Sequence, residues 1–277
     1  NFLFENKKLI KKLSNNNKKL ADKFSWENVV LNSKLMQVLN TYDLLKDKKR
    51  PKGKVSIIIK ALNEEEHIAE CIESALKSIK DFDGEVILVD SKSTDRTVEI
   101  AKKYPIKIIQ LKNEKDKCCG VGPQTGYLFS KGDFVYILDG DMTIDPDFIK
   151  KALPYFNDPL IVGVGGNIRE KSKENLAFQV RTKGHVVDKT TEVEKLGMGG
   201  LYKREALDEV GYFSNPYLYA YEEYDLGAKL TRQGFKMIRI PEKMVEHYGD
   251  ETTSFHTLIN RWKSRYLFGS GQYLRRA

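Results

Sequence analysis

Phe134-Val135-Tyr136-Ile137-Leu138-Asp139-Gly140-Asp141 is the stretch on which the reading of this chain turns. Five apolar residues run without a break and stop at two carboxylates separated by one glycine. A short, continuous apolar run is what a strand buried on both faces requires. The same texture recurs upstream, in Val55-Ser-Ile-Ile-Ile59, in Glu85-Val-Ile-Leu-Val-Asp90 and in Ile106-Lys-Ile-Ile-Gln-Leu111. Helical spacing fills the intervals, through Ile68, Cys71, Ile72, Ala75, Leu76 and Ile79, then across Thr94 to Tyr104. A Gly-containing loop leads to a helix expected near residues 123–131. Strands alternating with helices predict βαβ units, hence an α/β fold with a mainly parallel, Rossmann-like sheet flanked by helices.

In such sheets ligands bind beyond the carboxyl ends of the strands. Three predicted strands end in polar residues: the first at Asn63-Glu64, the second at Asp90-Ser91, the fourth at Asp139-Gly140-Asp141. Each alone also fits a helix cap, since Asp and Asn are frequent there. Together they line one edge with carboxylates and hydroxyls, which favours a site. Asp139 and Asp141, with only glycine between them, suit a hard divalent cation such as Mn²⁺ or Mg²⁺, which takes oxygen ligands and leaves positions for substrate phosphates. The competing reading of Asp-Gly-Asp is an acidic turn opening a helix at Pro146.

Several ordered blocks over roughly residues 54–250 resemble the family 2 glycosyltransferases. They are Val55 to Glu65 with its Asn-Glu turn, Ile87-Leu-Val-Asp90 with Ser93-Thr-Asp95, and Gly120-Val-Gly-Pro-Gln-Thr-Gly126 before the Asp-Gly-Asp strand. Gly197-Met-Gly-Gly200 with Lys203 to Phe213 follows, then Glu222-Glu223-Tyr224-Asp225-Leu226. The resemblance implies a GT-A fold and inverting sugar transfer from a nucleotide-diphosphate sugar, with a divalent metal as cofactor. The acceptor would be a glycan, a lipid-linked sugar or a polyprenyl phosphate, in cell-surface polysaccharide or glycoconjugate synthesis. It implies a catalytic group of Glu223, as general base, with Glu222 and Asp225. Nucleotide-sugar contacts would come from Ala61, Asn63, Glu64, Asp90, Ser91, Gln124, Asp139 and Gly140, and metal ligands from Asp139, Asp141 and His247. Three residues depart from the family pattern: Lys60 stands where Pro is usual, Gln124 where many members carry Arg, and Glu223 where Asp is usual. Arg261-Trp262 matches part of the Gln-x-x-Arg-Trp motif of processive members and is a candidate for the diphosphate or acceptor pocket, but Leu258 occupies the Gln position.

The 277 residues are enough for one large domain or two small ones. Three parts are expected: a basic helical N-terminal extension (1–53), a glycosyltransferase domain (54–250, nucleotide half 54–145, acceptor half 146–250), and a helical C-terminal tail (251–277). Amphipathic spacing in the extension runs through Phe2, Leu9, Leu13 and Leu20, then Leu31, Leu35, Val38, Tyr42 and Leu45. The net charge of +8 is unevenly placed. Residues 1–54 hold 14 basic and 5 acidic side chains, residues 261–277 hold 5 basic and none acidic, and residues 55–260 hold 28 basic and 34 acidic. An acidic central body argues against nucleic-acid binding, whose phosphate contacts need Lys and Arg. The basic N-terminal helices are read first as packing on the following domain or on a preceding one; beyond packing, the basic ends point to a membrane surface or a further domain, and to the cytoplasmic face of a membrane. The start at Asn1 without Met, and the end on Arg275-Arg276-Ala277, carry the expectation that the natural protein extends beyond both, with a membrane anchor following. Three Cys, two of them adjacent, fit a reducing compartment better than a disulfide framework.

Two rival functions remain open on the sequence. A nucleotidyltransferase making a nucleotide-sugar would normally carry a glycine-rich phosphate loop after the first strand, which Lys60-Ala-Leu-Asn-Glu lacks. A non-catalytic nucleotide-sugar or glycan-binding module would not need carboxylates at 139, 141 and 223.

Overall fold

A computed structural model describes residues 53–112, 118–171, 186–197, 199–249, 259, 261–263 and 265–274. The chain divides into two compact units, Asn1–Lys49 and Arg50–Ala277, and every element below belongs to the second. The expected N-terminal helices lie outside the described residues.

The chain forms β1 (Val55–Ala61), α1 (Ile68–Ser78), β2 (Gly84–Asp90), α2 (Thr97–Ala101), β3 (Lys107–Gln110), α3 (Val121–Phe129), β4 (Phe134–Asp139) and β5 (Met142–Ile144). It continues with α4 (Phe148–Ala152), β6 (Ile161–Glu170), β7 (Thr191–Val193), β8 (Gly200–Lys203), α5 (Arg204–Glu209), α6 (Glu222–Arg232), β9 (Lys236–His247) and α7 (Gly269–Leu274). One sheet runs in the order β3-β2-β1-β4-β8-β6-β9-β5, with β7 paired to β9.

Alternation along β1 shows why its sequence is apolar throughout. Val55, Ile57 and Ile59 pack into one buried cluster with Ile68 and Ile72 of α1, while Ile58 points through the sheet into a second with Tyr127 of α3. Both faces are therefore core, and each strand position contributes to one layer or the other. Pairings β1–β2, β1–β4 and β2–β3 are parallel, as expected. Beyond β4 the sheet becomes mixed: β4–β8, β6–β8, β5–β9 and β7–β9 are antiparallel, and β6–β9 is parallel. The parallel description thus holds for the first half, where helical crossovers separate the strands; in the second half strands distant in sequence pair mostly in the opposite sense.

Local boundaries shift in two informative places. The expected Gly-containing loop before residue 123 is already helical from Val121, because α3 must lie close against β1: a Cβ on Gly126 would overlap Ile58 Cγ2. Asp-Gly-Asp does not open a helix at Pro146. It turns β4 into β5, and α4 begins only at Phe148. The tail expected as one helix is broken where it is described: Arg265 takes φ +63, Tyr266–Phe268 forms a 3₁₀ turn, and α7 follows.

The order β3-β2-β1-β4 contains a reversal. The chain moves outward from β1 through β2 to β3, then crosses back to place β4 on the other side of β1. That switch opens a crevice at the carboxyl ends of β1 and β4, the place where open α/β sheets bind ligands.

Candidate active site

The crevice is floored by the last residues of the two central strands. Lys60 and Asp139 are register partners across β1 and β4, and Lys60 Nζ lies 3.1 Å from Asp139 Oδ1. The same ammonium lies 3.7 Å from Glu222 Oε1, at the start of α6. Two cavities meet at this ion triad. A cleft of about 300 Å³ is lined by Ala61, Glu64, Ser91, Gly140, Asp141 and Tyr219, among others. A smaller chamber of about 30 Å³ is lined by Tyr202, Phe213, Ser214, Glu222 and Glu223. Lys60 and Asp139 line both.

Gly140 permits this floor to close, since a Cβ there would stand 2.8 Å from Glu64 Cγ and 3.1 Å from Ala61 Cβ. Crowding has an electrostatic consequence. Burial, together with Asp141 and Asp139, pushes the Glu64 carboxyl up to about 8. Burial also raises Asp139, though Lys60 opposes the shift.

Three strands assemble the far wall. Met142 pairs with His247 across β5–β9, and Glu170 pairs with His247 across β6–β9. These registers place Asp141 Oδ2 3.0 Å from His247 Nε2, and Glu170 Oε2 2.6 Å from His247 Nδ1. Burial opposes charge on this imidazole, but hydrogen bonds and charges from Asp141 and Glu170 overcome it and raise the group to about 9. Asp141 is held below its usual range: burial works against ionisation, and the His247 bond and charge prevail.

The expected metal trio does not converge. Asp139 is turned to Lys60, and among the described residues no group of three or more His, Cys, Asp and Glu is arranged around a metal position. What remains is a donor pair, Asp141 and His247, whose facing atoms are spaced like neighbouring ligands of one ion. Glu170 fixes the imidazole from behind, as carboxylates commonly do for a ligating histidine. A carboxylate oxygen beside an imidazole nitrogen fits a borderline divalent cation such as Mn²⁺ better than an all-oxygen cation such as Mg²⁺.

At the other wall, α6 starts from Tyr221 in a left-handed conformation (φ +70) and carries Glu222, Glu223 and Asp225 in its first turn. The positive end of the helix dipole favours acids there. Glu222 is buried, and burial with the adjacent Glu223 raises its carboxyl to about 7. Glu223 is half-exposed, lines the small chamber, and has no hydrogen bond or ion pair among the described residues. Asp225 is different: its Oδ2 accepts the Tyr212 hydroxyl at 2.5 Å, and it lines neither cavity, so it fixes the helix rather than facing a ligand.

Other expected contacts are also redirected. Asp90 is fully buried, and its oxygens accept from Ser93 N at 3.0 Å and Gln110 Nε2 at 3.0 Å, and from Ser93 Oγ. It shapes the turn that presents Ser91 rather than meeting the cleft. Asn63 (φ +58) accepts Thr94 N at 2.8 Å and ties the first turn to the second. Gln124 is buried, and its Oε1 accepts from Phe213 N and Ser214 N at 3.1 and 2.9 Å, holding the loop before α6. Trp262 is 62% exposed and lines neither cavity. Arg261 stacks over Tyr266, and it is Tyr266 that lines the cleft.

Sequence reasoning passed over Lys60, noted only as a departure from a pattern. It also passed over Glu170, whose partner lies 77 residues away, and over Tyr219, Tyr266 and the two Cys that line the cleft.

Comparison with known proteins agrees with this geometry. The model of Glycosyl transferase family 2 matches residues 56–211. A dolichol-phosphate mannosyltransferase of Pyrococcus furiosus is 27% identical over 193 residues, covering 67% of this chain and 51% of its own length. An O-antigen chain rhamnosyltransferase of Salmonella typhimurium is 28% identical over 190 residues, covering 62% and 60%. The chain therefore spans about half to three-fifths of these relatives. Among solved structures, a mannosyltransferase from Pyrobaculum calidifontis in complex with GDP-Man and Mn²⁺ superposes with TM-score 0.60 at 19% identity, covering 88% of this chain and 72% of its own. Staphylococcus aureus TarS 1–349 in complex with UDP-GlcNAc gives TM-score 0.59 at 20% identity, covering 72% and 60%. These likenesses show a shared GT-A fold. With its family's pattern matched over more than half its length, the chain belongs to glycosyl transferase family 2.

Proposed function

We propose that this protein is an inverting glycosyltransferase that moves a sugar from a nucleotide-diphosphate donor to a hydroxyl or phosphate oxygen of a glycan or lipid-linked acceptor. The observation that carries the reading is the pair of cavities sharing one wall. The larger, at the switch point of the sheet, has the size and position for a nucleotide diphosphate. The smaller opens onto two carboxylates at a helix start. In this reading residues 54–145 supply most of the donor site, closed by Tyr219, His247 and Tyr266, and residues 146–250 the rest of the acceptor side.

The chain's own groups divide the chemistry. Ala61, Ser91 and Gly140 bound the nucleotide, and Tyr219 and Tyr266 close over it. Asp141 and His247, oriented by Glu170, would hold a divalent cation, which when bound neutralises charge on the diphosphate. Support for a metal comes from this donor pair and from the Mn²⁺ in the Pyrobaculum structure. Glu223 accepts the proton of the acceptor hydroxyl as that oxygen bonds to the anomeric carbon. The bond from that carbon to the phosphate oxygen breaks, and the nucleoside diphosphate leaves with the electron pair. One displacement inverts the anomeric centre. Glu222, paired to Lys60, is less suited to be the base than its unpaired neighbour.

The test is a screen of UDP- and GDP-sugars for thermal stabilisation with Mn²⁺, followed by transfer to lipid-linked and soluble glycan acceptors. A donor present at a hundred times its dissociation constant should add about 2.7 kcal/mol. Transfer with inverted product, read by the anomeric proton coupling, supports the reading. A retained configuration, or stabilisation by no nucleotide, overturns it.

A further inference from the structure

Lys60 lines both cavities, as Asp139 does, and it is the only basic residue among their described linings. Around it stand Glu64, Asp139, Asp141, Glu222 and Glu223. A nucleoside diphosphate entering so acidic a cleft adds further negative charge. A cation held by Asp141 and His247 would offset part of it from one wall. Nothing else basic in the described lining offsets the rest, and unlike charges at such spacing interact strongly where water is excluded.

The valence of the ammonium is informative. It carries three N–H donors. Asp139 at 3.1 Å and Glu222 at 3.7 Å account for two partners, and no third is found among the described residues. The side chain is 24% exposed at the meeting point of the cavities, so a donor remains for a ligand oxygen there. Its two carboxylate partners belong to different elements, β4 and α6, which fixes the head group rather than leaving it to sweep the cleft. Family resemblance supplies no such role, since Pro is usual at this position and carries neither charge nor donor.

We propose that Lys60 is a diphosphate-binding catalytic residue, a built-in cation that holds the donor's phosphate oxygens and stabilises the departing nucleoside diphosphate from the side opposite Asp141 and His247. No proton is transferred: the ammonium donates a hydrogen bond that strengthens as charge collects on the leaving oxygen. The proposal rests on the glycosyltransferase reading above. It also implies that the protein binds nucleoside diphosphates measurably without metal.

The test compares wild type with Lys60→Met, which keeps length and loses charge, and Lys60→Arg, which keeps charge. UDP and GDP are titrated calorimetrically in EDTA and again with Mn²⁺, and kcat and KM are measured with the donor found above. In EDTA, loss of a charge-assisted contact should weaken Lys60→Met binding by roughly 10- to 100-fold, with Lys60→Arg close to wild type. With Mn²⁺, kcat of Lys60→Met should fall by about 100-fold, beyond any change in KM. Equal metal-free affinity in wild type and Lys60→Met overturns the proposal, as does undetectable metal-free binding in wild type. Should Lys60→Met fail to fold, Lys60→Gln gives the same comparison. If wild type binds neither nucleotide even with Mn²⁺, the glycosyltransferase reading itself fails, which separates the two outcomes.

Discussion

The two halves of the sheet reach the same crevice by different routes. In the half built from β1 to β4, much of the cleft lies at or just beyond the end of an apolar strand: Ala61 on β1, Ser91 after β2, Asp139 on β4 and Gly140 after it. In the half built from β5 to β9, the residues that matter are brought together by pairing of distant segments, as His247 is aligned with Met142 and Glu170. The first half is a set of local motifs on a parallel scaffold, the second a set of registers. A site of the first kind tolerates changes in distant loops; one of the second depends on every pairing that fixes it.

That contrast predicts where substitutions act. The largest effect is expected on the acceptor wall. Glu223→Gln should lower kcat by about 10³-fold at unchanged Tm, since it removes only a proton acceptor. A rate within tenfold of wild type would move the base elsewhere. Next, the local half should be sensitive to packing as well as to the chemistry at Lys60. Gly126→Ala, forced against Ile58, should cost about 1–3 kcal/mol in urea unfolding, and an unchanged midpoint would contradict the close contact of α3 with β1. In the register-built half, Glu170→Gln should weaken Mn²⁺ binding by roughly 10- to 100-fold through the orientation of His247 alone. Equal affinity by calorimetry would show that Glu170 does not orient the ligand.

The smallest effect concerns stability at the edge of that half. Glu246 on β9 lies 2.8 Å from Lys171 and 2.9 Å from Lys243, and bonds to the two lysines hold its carboxyl at about 2 although burial opposes this. A depressed folded-state value contributes stability above the ordinary carboxylate range and loses it as the folded group is protonated. The contribution should thus be complete above pH 4.5 and disappear as pH falls towards 2. Because the lysines are nearly half-exposed, it is worth about 1 kcal/mol. Glu246→Gln should abolish this component of the acid transition. An identical profile in the variant would place the stabilisation elsewhere.

The same contrast explains what could be read from the sequence. Strands β1, β2 and β4 announce themselves because both faces are buried, leaving an unbroken apolar run. The Asp-Gly-Asp turn was recognisable for the same reason, since its position follows from the strand before it. Gln124 and Asp90 were harder, because residue type and position along a motif do not reveal whether a side chain faces a cleft or a backbone N–H. Gln124 turned inward to clamp Phe213 and Ser214, and Asp90 to organise its own turn. Glu170 had no local signature, because its meaning depends on a β6–β9 register with bulges between Ile161 and Ile168. Lys60 was visible but uninterpretable until Asp139 and Glu222 were placed beside it.

In the proposed function, donor binding and acceptor activation reside on separate walls joined at Lys60 and Asp139. Calorimetric titration of UDP or GDP with Mn²⁺ into Asp141→Asn and Glu223→Gln tests it most directly. The division predicts that Asp141→Asn binds at least ~10-fold more weakly than wild type, while Glu223→Gln stays within about twofold yet fails to transfer sugar. If Glu223→Gln lost nucleotide affinity as severely as Asp141→Asn, the two walls would not be separate functions.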